Sequence, residues 1–140
     1  MYEDYSRQSL PPKKYRELLG SAICVFNSNN AFIIENILRS DDDKKYNWYE
    51  LIDKVSGKLT EPIKETITKK SGEEIASLFD EVFKMRNRII HSFQVTHNDE
   101  QILATKYKDG QQIIVTEEYL YEFIKKNEQL SDLLEEFRQR

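Results

Sequence analysis

Apolar residues recur at three- and four-residue steps along most of the chain, the mark of helices that each bury one face. Tyr15, Leu18, Leu19, Ala22, Ile23, Phe26, Ile33 and Ile37 carry that period through a helix predicted from about Pro12 to Leu38. Ser9-Leu10-Pro11-Pro12 reads as its start, because proline in a first turn lacks only an N–H that would have no partner there. Residues 1–10 precede it as a loose arm, with Tyr2, Tyr5 and Leu10 as anchors. Gly20 and Asn27-Ser28-Asn29-Asn30 weaken the pattern. Asn29 and Asn30 flank the apolar stripe, which implies either a bend or break in the helix or an amide reaching a buried polar motif elsewhere.

A polar loop, Ser40-Asp41-Asp42-Asp43-Lys44-Lys45, separates this helix from the next. Asn47-Trp48-Tyr49-Glu50 has a capping pattern with Asn in the usual Ser/Thr place. The helix it opens is expected to bury Trp48, Leu51, Ile52, Val55 and Leu59. Pro62 must end or kink it, and Thr60-Glu61-Pro62 reads as a restart giving a short helix to about Lys69. Ser71-Gly72-Glu73-Glu74 reads as a capping box for a further helix to about Phe93.

Gln94 to Glu100 reads as a polar connection. Residues 101–107 and 111–115 then flank Lys108-Asp109-Gly110, a hairpin signal. A two-stranded ribbon is marginal alone, so it should lean on the helices or on a partner chain. Thr116-Glu117-Glu118 starts the last helix, where Phe123, Asn127, Leu130, Leu134 and Phe137 form a 3.5-residue seam. That seam packs either inside the bundle or between subunits, with Asn127 as a polar residue that sets register.

Within the 71–93 helix, Leu78, Phe79, Val82, Ile89, Ile90 and Phe93 fall within about 60° of Ile75 at 100° per residue. Arg86 lies about 20° from the same reference, in the middle of the apolar stripe. A charge there is costly unless it is paired or faces a cleft. Asn87 and His91 are four apart and share a face. Arg86 points about 140° away from His91, so only its long side chain, or a bend, brings the two together. Without further context, Arg86 would serve as a buried salt-bridge residue and His91 as an ordinary residue near a helix end.

The run from Arg86 to His91 resembles the signature of the HEPN family, the higher-eukaryote and prokaryote nucleotide-binding domain. That signature is an Arg, four to six residues, then a His, often with a polar residue straight after the Arg. Arg86, Asn87 and His91 match it with four residues between. The family places the motif late in an all-helical bundle. The resemblance implies a mainly α, HEPN-like bundle of four to five helices, here with one inserted β-hairpin at 101–115. It also implies metal-independent endoribonuclease action in a cleft between two subunits, in a toxin or phage-defence role. In that chemistry His91 takes the 2′-hydroxyl proton, Arg86 stabilises the phosphorane charge and Asn87 donates to it. Lys84 and Arg88 flank these residues as substrate-binding cations. The partners expected are RNA, a second copy of the chain and an inhibitory protein. Two other classes stay open: a catalytically silent HEPN-like module binding a nucleotide or a protein, and an unrelated helical adaptor.

Length and composition change this picture little. The 140 residues suit one domain spanning 1–140, and 39% hydrophobic with 33% charged residues suits a helical protein with a charged surface. No apolar run approaches the roughly 20 residues of a membrane span, and the acidic start Met1-Tyr2-Glu3-Asp4-Tyr5 lacks the order of a signal peptide. The single Cys24 excludes an internal disulfide, and a cytoplasmic location is expected. Cys24 is expected near the apolar face of its helix as a buried thiol. A net charge of −4 disfavours bulk-field binding to long duplex nucleic acid. Local basic clusters remain at Lys84, Arg86 and Arg88 and at Lys13, Lys14 and Arg16. Asp41–Asp43 lack calcium-loop alternation, and His97, expected in a loop, has no companion at metal spacing. No metal site and no cofactor are expected. The absence of a phosphate-cradling glycine loop, a serine elbow and a zinc pattern disfavours an NTPase, a serine hydrolase or a zinc enzyme.

Overall fold

The structure is a computed structural model that describes residues 2–54 and 56–140. It is mainly helical with one small antiparallel sheet. The long helix α1 (Lys13–Arg39) runs unbroken through the Asn27–Asn30 stretch. A short α2 (Trp48–Asp53) and a 3-10 turn (Ser56–Leu59) follow. Next comes one continuous helical run composed of α3 (Thr60–Ile63), a π turn (Lys64–Thr68) and α4 (Lys69–Ser71). Then come α5 (Glu74–Ile90), the sheet strands β1 (Phe93–His97), β2 (Glu100–Lys106) and β3 (Gln112–Ile114), and α6 (Glu117–Arg138).

Cross-links between the long helices define their directions. Tyr15 Oη donates to Val115 O at 2.6 Å, and Asn29 Nδ2 donates to Asn127 O at 2.7 Å and to Asn127 Oδ1 at 3.0 Å. Arg138 meets Glu35 at 3.6 Å. Numbers rise together along α1 and α6, so those two run parallel. α5 runs against them, since Tyr119 bonds back to Met85 and Lys126 to Glu81. The core lies between the three, with Phe26 stacked at 6.3 Å from Phe79 and 6.2 Å from Phe123.

The seam of α6 packs inside the chain: Leu120, Phe123, Asn127, Leu130, Leu134 and Phe137 are all buried. Asn127 sits in it as a register residue, and its partner is Asn29, 98 residues away. Asn29 therefore neither breaks α1 nor reaches the Arg86 motif; it satisfies a buried amide on α6. Asn30 accepts from Ser56 Oγ at 2.9 Å and ties the 3-10 turn to α1. Each buried polar group with a partner costs little, whereas an orphan costs about 1–3 kcal/mol.

Several expectations need correction. Trp48 and Ile52 are each 40% exposed, because α2 is only six residues long and buries Leu51 alone. Leu59 is buried as expected, while Val55 lies outside the described residues. Ser71 does not cap α5. It closes α4, its Oγ donates to Ile67 O, and Gly72 at φ +89° terminates that helix in the left-handed region. Cys24 is exposed: it lies nine residues from buried Ile33, or about 180° round the helix. The arm is pinned by Arg16, which bonds Glu3 at 2.6 Å and Tyr5 Oη at 3.0 Å, while Tyr2 and Tyr5 stay exposed.

The hairpin expected over 101–115 is β2 and β3, paired Ala104 to Ile114 and Lys106 to Gln112. The stretch read as a polar connection is a third strand. β1 pairs with β2 from Phe93–Ala104 to His97–Glu100, across a two-residue turn, Asn98-Asp99, with φ of 52° and 63°. Asn and Asp tolerate that left-handed conformation without glycine, so the turn lacks the Asn-Gly signal. His97 thus ends an exposed strand. Helix α6 opens with Thr116, whose side chain accepts from Tyr119 N at 3.0 Å. Thr116→Ala should lower stability by about 1 kcal/mol in urea unfolding, the usual loss for an N-cap; no change would mean that packing alone places this end.

Candidate functional site

α5 carries its buried face through Ile75, Phe79, Val82 and Ile89, and Arg86 points to the same side. Its guanidinium carbon lies 5.1 Å from the Phe26 ring centre and 5.9 Å from that of Phe83. Its Nε is buried without a hydrogen-bond partner, and Arg86 forms no ion pair with any described residue. Burial pulls its pKa below the usual arginine value. The cation is therefore held by aromatic faces, an arrangement that stabilises it by about 0.5–2 kcal/mol. The salt-bridge role open to Arg86 from the sequence does not occur among the described residues.

Asn87, one residue on, turns to the other side. With Phe83, Lys84 and Arg88 it lines one wall of an open groove of about 980 Å³. The facing wall is Tyr107, Lys108, Asp109, Gln111 and Ile113, from the end of β2, the turn and β3. Lys84 also pairs with Asp80 at 2.8 Å, and that hydrogen bond, with the carboxylate's charge, raises its pKa. Arg88 is tied down: Nη1 donates to Lys106 O, and the guanidinium lies 5.7 Å from the Tyr107 ring centre. It fastens the sheet to α5 as much as it lines the groove.

His91 caps α5, with its backbone N–H on Asn87 O at 2.9 Å, and its side chain is exposed. Within one chain, then, Asn87, Lys84 and Arg88 share a groove. Arg86 stands on the aromatic side of the helix, and His91 is at the helix end. Ile90 and Phe93, expected in the apolar stripe, are 49% and 42% exposed, because the helix stops at Ile90 and the chain turns into β1. They flank His91 with uncovered apolar surface.

The sequence reading missed the far wall of the groove. Lys108-Asp109-Gly110 was legible as a turn, but nothing local says that this turn folds over Asn87. It also missed Tyr119 on α6, whose hydroxyl donates to Met85 O at 3.3 Å and braces α5 one residue before Arg86. Burial, and then Tyr107, push the Tyr119 pKa up to about 12, with Arg88 pulling the other way, so it stays a neutral donor. Two of the three loop aspartates are occupied internally, Asp41 accepting from Tyr46 N and Asp42 pairing with Lys70. No group of three or more His, Cys, Asp or Glu among the described residues is placed to hold a metal ion. No described helix is long and apolar enough to cross a membrane.

Comparison with family models, with curated proteins and with solved structures finds no match to this chain.

Proposed function

We propose that the chain is a metal-independent endoribonuclease of the HEPN type, acting as a homodimer, with RNA as substrate. The observation that carries this reading is Arg86: a part-buried guanidinium whose Nε has no hydrogen-bond partner, with no carboxylate on it among the described residues, one residue from a groove-lining amide and five from an exposed imidazole. A part-buried cation with no carboxylate on it interacts strongly with a phosphate, and an arginine offers it two parallel donors. His91 takes the proton of the 2′-hydroxyl, and the resulting oxygen attacks the adjacent phosphorus. Arg86 and Asn87 hold the charge that develops, and the 5′-oxygen leaves on receiving the proton that the His91 imidazolium gives back. The products are a 2′,3′-cyclic phosphate and a 5′-hydroxyl end. The exposed Ile90 and Phe93 beside His91 favour a second copy over this face, bringing one chain's Arg86 toward its partner's imidazole. The toxin or phage-defence role and an inhibitory protein partner follow from the resemblance alone.

A second reading has an observation of its own. Arg86 is clamped by Phe26 and Phe83, and Arg88 is engaged by Lys106 and Tyr107. Cations held this firmly also suit a catalytically silent module that binds a nucleotide or a protein in the groove. Incubating the purified protein with RNA in EDTA separates the two readings. The nuclease cleaves at an undiminished rate and leaves cyclic phosphate ends, and light scattering at tens of micromolar gives a dimer. Cleavage that EDTA abolishes overturns the mechanism, and no cleavage with saturable nucleotide binding establishes the silent module.

A further inference from the structure

At the far end of the bundle from His91, the ends of α1 and α6 and the short α4 enclose a second cavity of about 350 Å³. Four of its seven lining residues are cations: Arg39 from α1, Lys70 from α4, and Arg138 and Arg140 at the end of α6. Among the described residues no Asp or Glu lines it. Lys and Arg are 21 of 140 residues, so seven positions would hold about one by chance. In a chain of net charge −4 that is a concentrated positive field.

Basic residues at helix C-termini also offset the negative end of the helix dipole. That accounts for one cation per helix. It does not account for Arg140, which lies beyond the end of α6, and a second feature of the hollow is likewise unexplained. Asn36 is wholly buried in the cavity wall. Its Nδ2 donates to Phe32 O at 2.9 Å, while its Oδ1 has no hydrogen-bond partner. The carboxylates that meet these cations are outside the cavity and solvated. Asp42 is 3.0 Å from Lys70 and Glu35 is 3.6 Å from Arg138, surface pairs that contribute little and exchange easily. Arg39 forms no ion pair among the described residues. Phe137 closes the apolar side.

We infer that this cavity binds a small ligand bearing two or more phosphate groups. Lys70 and Arg138 can exchange their solvated carboxylate partners for phosphate, so that with Arg39 and Arg140 the cluster can meet more than one phosphate, and the volume is at the small end of ligand pockets. Guanidinium groups match phosphate oxygens in pairs, and a ligand hydroxyl would satisfy the Asn36 oxygen. The site is separate from the phosphate chemistry proposed above. Glu74, at the start of α5, shares a small depression with Arg140, and the 17 residues of α5 put His91 about 25 Å away.

Calorimetric titration of the full chain with inorganic tripolyphosphate and with fructose 1,6-bisphosphate tests this. Both probes carry the phosphates and only the second carries hydroxyls, so the tighter binder identifies the ligand type. Saturable binding at one site per chain is expected, weakened at least about tenfold in Arg39→Gln/Lys70→Gln. Both positions are exposed, so that variant should keep the wild-type circular dichroism spectrum. Lys13→Gln/Lys125→Gln removes the same charge from exposed positions outside the cavity and should bind as wild type. Absence of saturable binding of either probe overturns the inference. So do heats matched by sulfate at equal ionic strength, or equal weakening in the Lys13/Lys125 variant.

Discussion

His91→Ala is expected to reduce RNA cleavage by about 10²–10⁴-fold, the usual contribution of a positioned general base. The side chain is exposed, and only its backbone N–H takes part in closing α5, so fold and dimer should survive. Arg86→Ala should cost about as much as an oxyanion donor, 10²–10³-fold or more, because the phosphorane charge loses its cation. Arg86→Lys should recover little. An ammonium is compact and strongly hydrated, so it neither matches the guanidinium's contact with the Phe26 and Phe83 rings nor presents two parallel donors to a phosphate. Asn87→Ala removes one neutral donor and should cost on the order of 10- to 1000-fold. Single-turnover cleavage of a labelled RNA, with urea unfolding of each variant alongside, separates lost chemistry from lost structure. A His91→Ala protein that cuts at the wild-type rate rules the mechanism out.

Phe26→Ala should be the most damaging core substitution, at about 3–5 kcal/mol. The ring is 2% exposed, stacks on Phe79 and Phe123, and carries the Arg86 guanidinium on its face. Truncation leaves a cavity at the crossing of three helices and also strips the part-buried Arg86 of an aromatic surface. Against a total stability of about 5–15 kcal/mol for a domain, that is a large share. Phe26→Leu keeps most of the volume and should cost about 1–2 kcal/mol, leaving a folded protein whose Arg86 has lost the ring. Chemical denaturation of both variants reads this out. If Phe26→Ala costs less than about 1.5 kcal/mol, the three helices do not depend on this crossing.

The Arg86–Phe26 pair also shows where reading along the chain succeeds and where it fails. That Arg86 points inward follows from its place in the stripe with Phe79, Val82 and Ile89, a matter of 100° per residue. What it meets does not follow, since Phe26 is sixty positions earlier on another helix. The two asparagines behave alike. Asn127 was recognisable as a polar residue in an apolar seam and Asn29 as an intruder near another, but only their packing joins them. Ser71-Gly72-Glu73-Glu74 is the opposite case. The local pattern matched a capping box, yet the preceding helix extended through Ser71 and Gly72 closed it, so the pattern belonged to an end and not to a start.

Sequence alone determined the long helices, the α6 seam, the β2–β3 hairpin and the inward side of Arg86, because each depends on spacing within a few turns of chain. The tertiary structure decided the rest. It recruited Phe93–His97 as a third strand through an Asn-Asp turn and left Trp48 and Ile52 exposed on a helix too short to bury them. It set the Lys108 turn opposite Asn87, and it gathered Arg39, Lys70 and Arg138 around one cavity. The physical reason is common to these cases. Helical period and turn chemistry act between neighbours, whereas the cost of an unpaired polar group or an uncovered apolar face is settled by whichever distant segment packs against it.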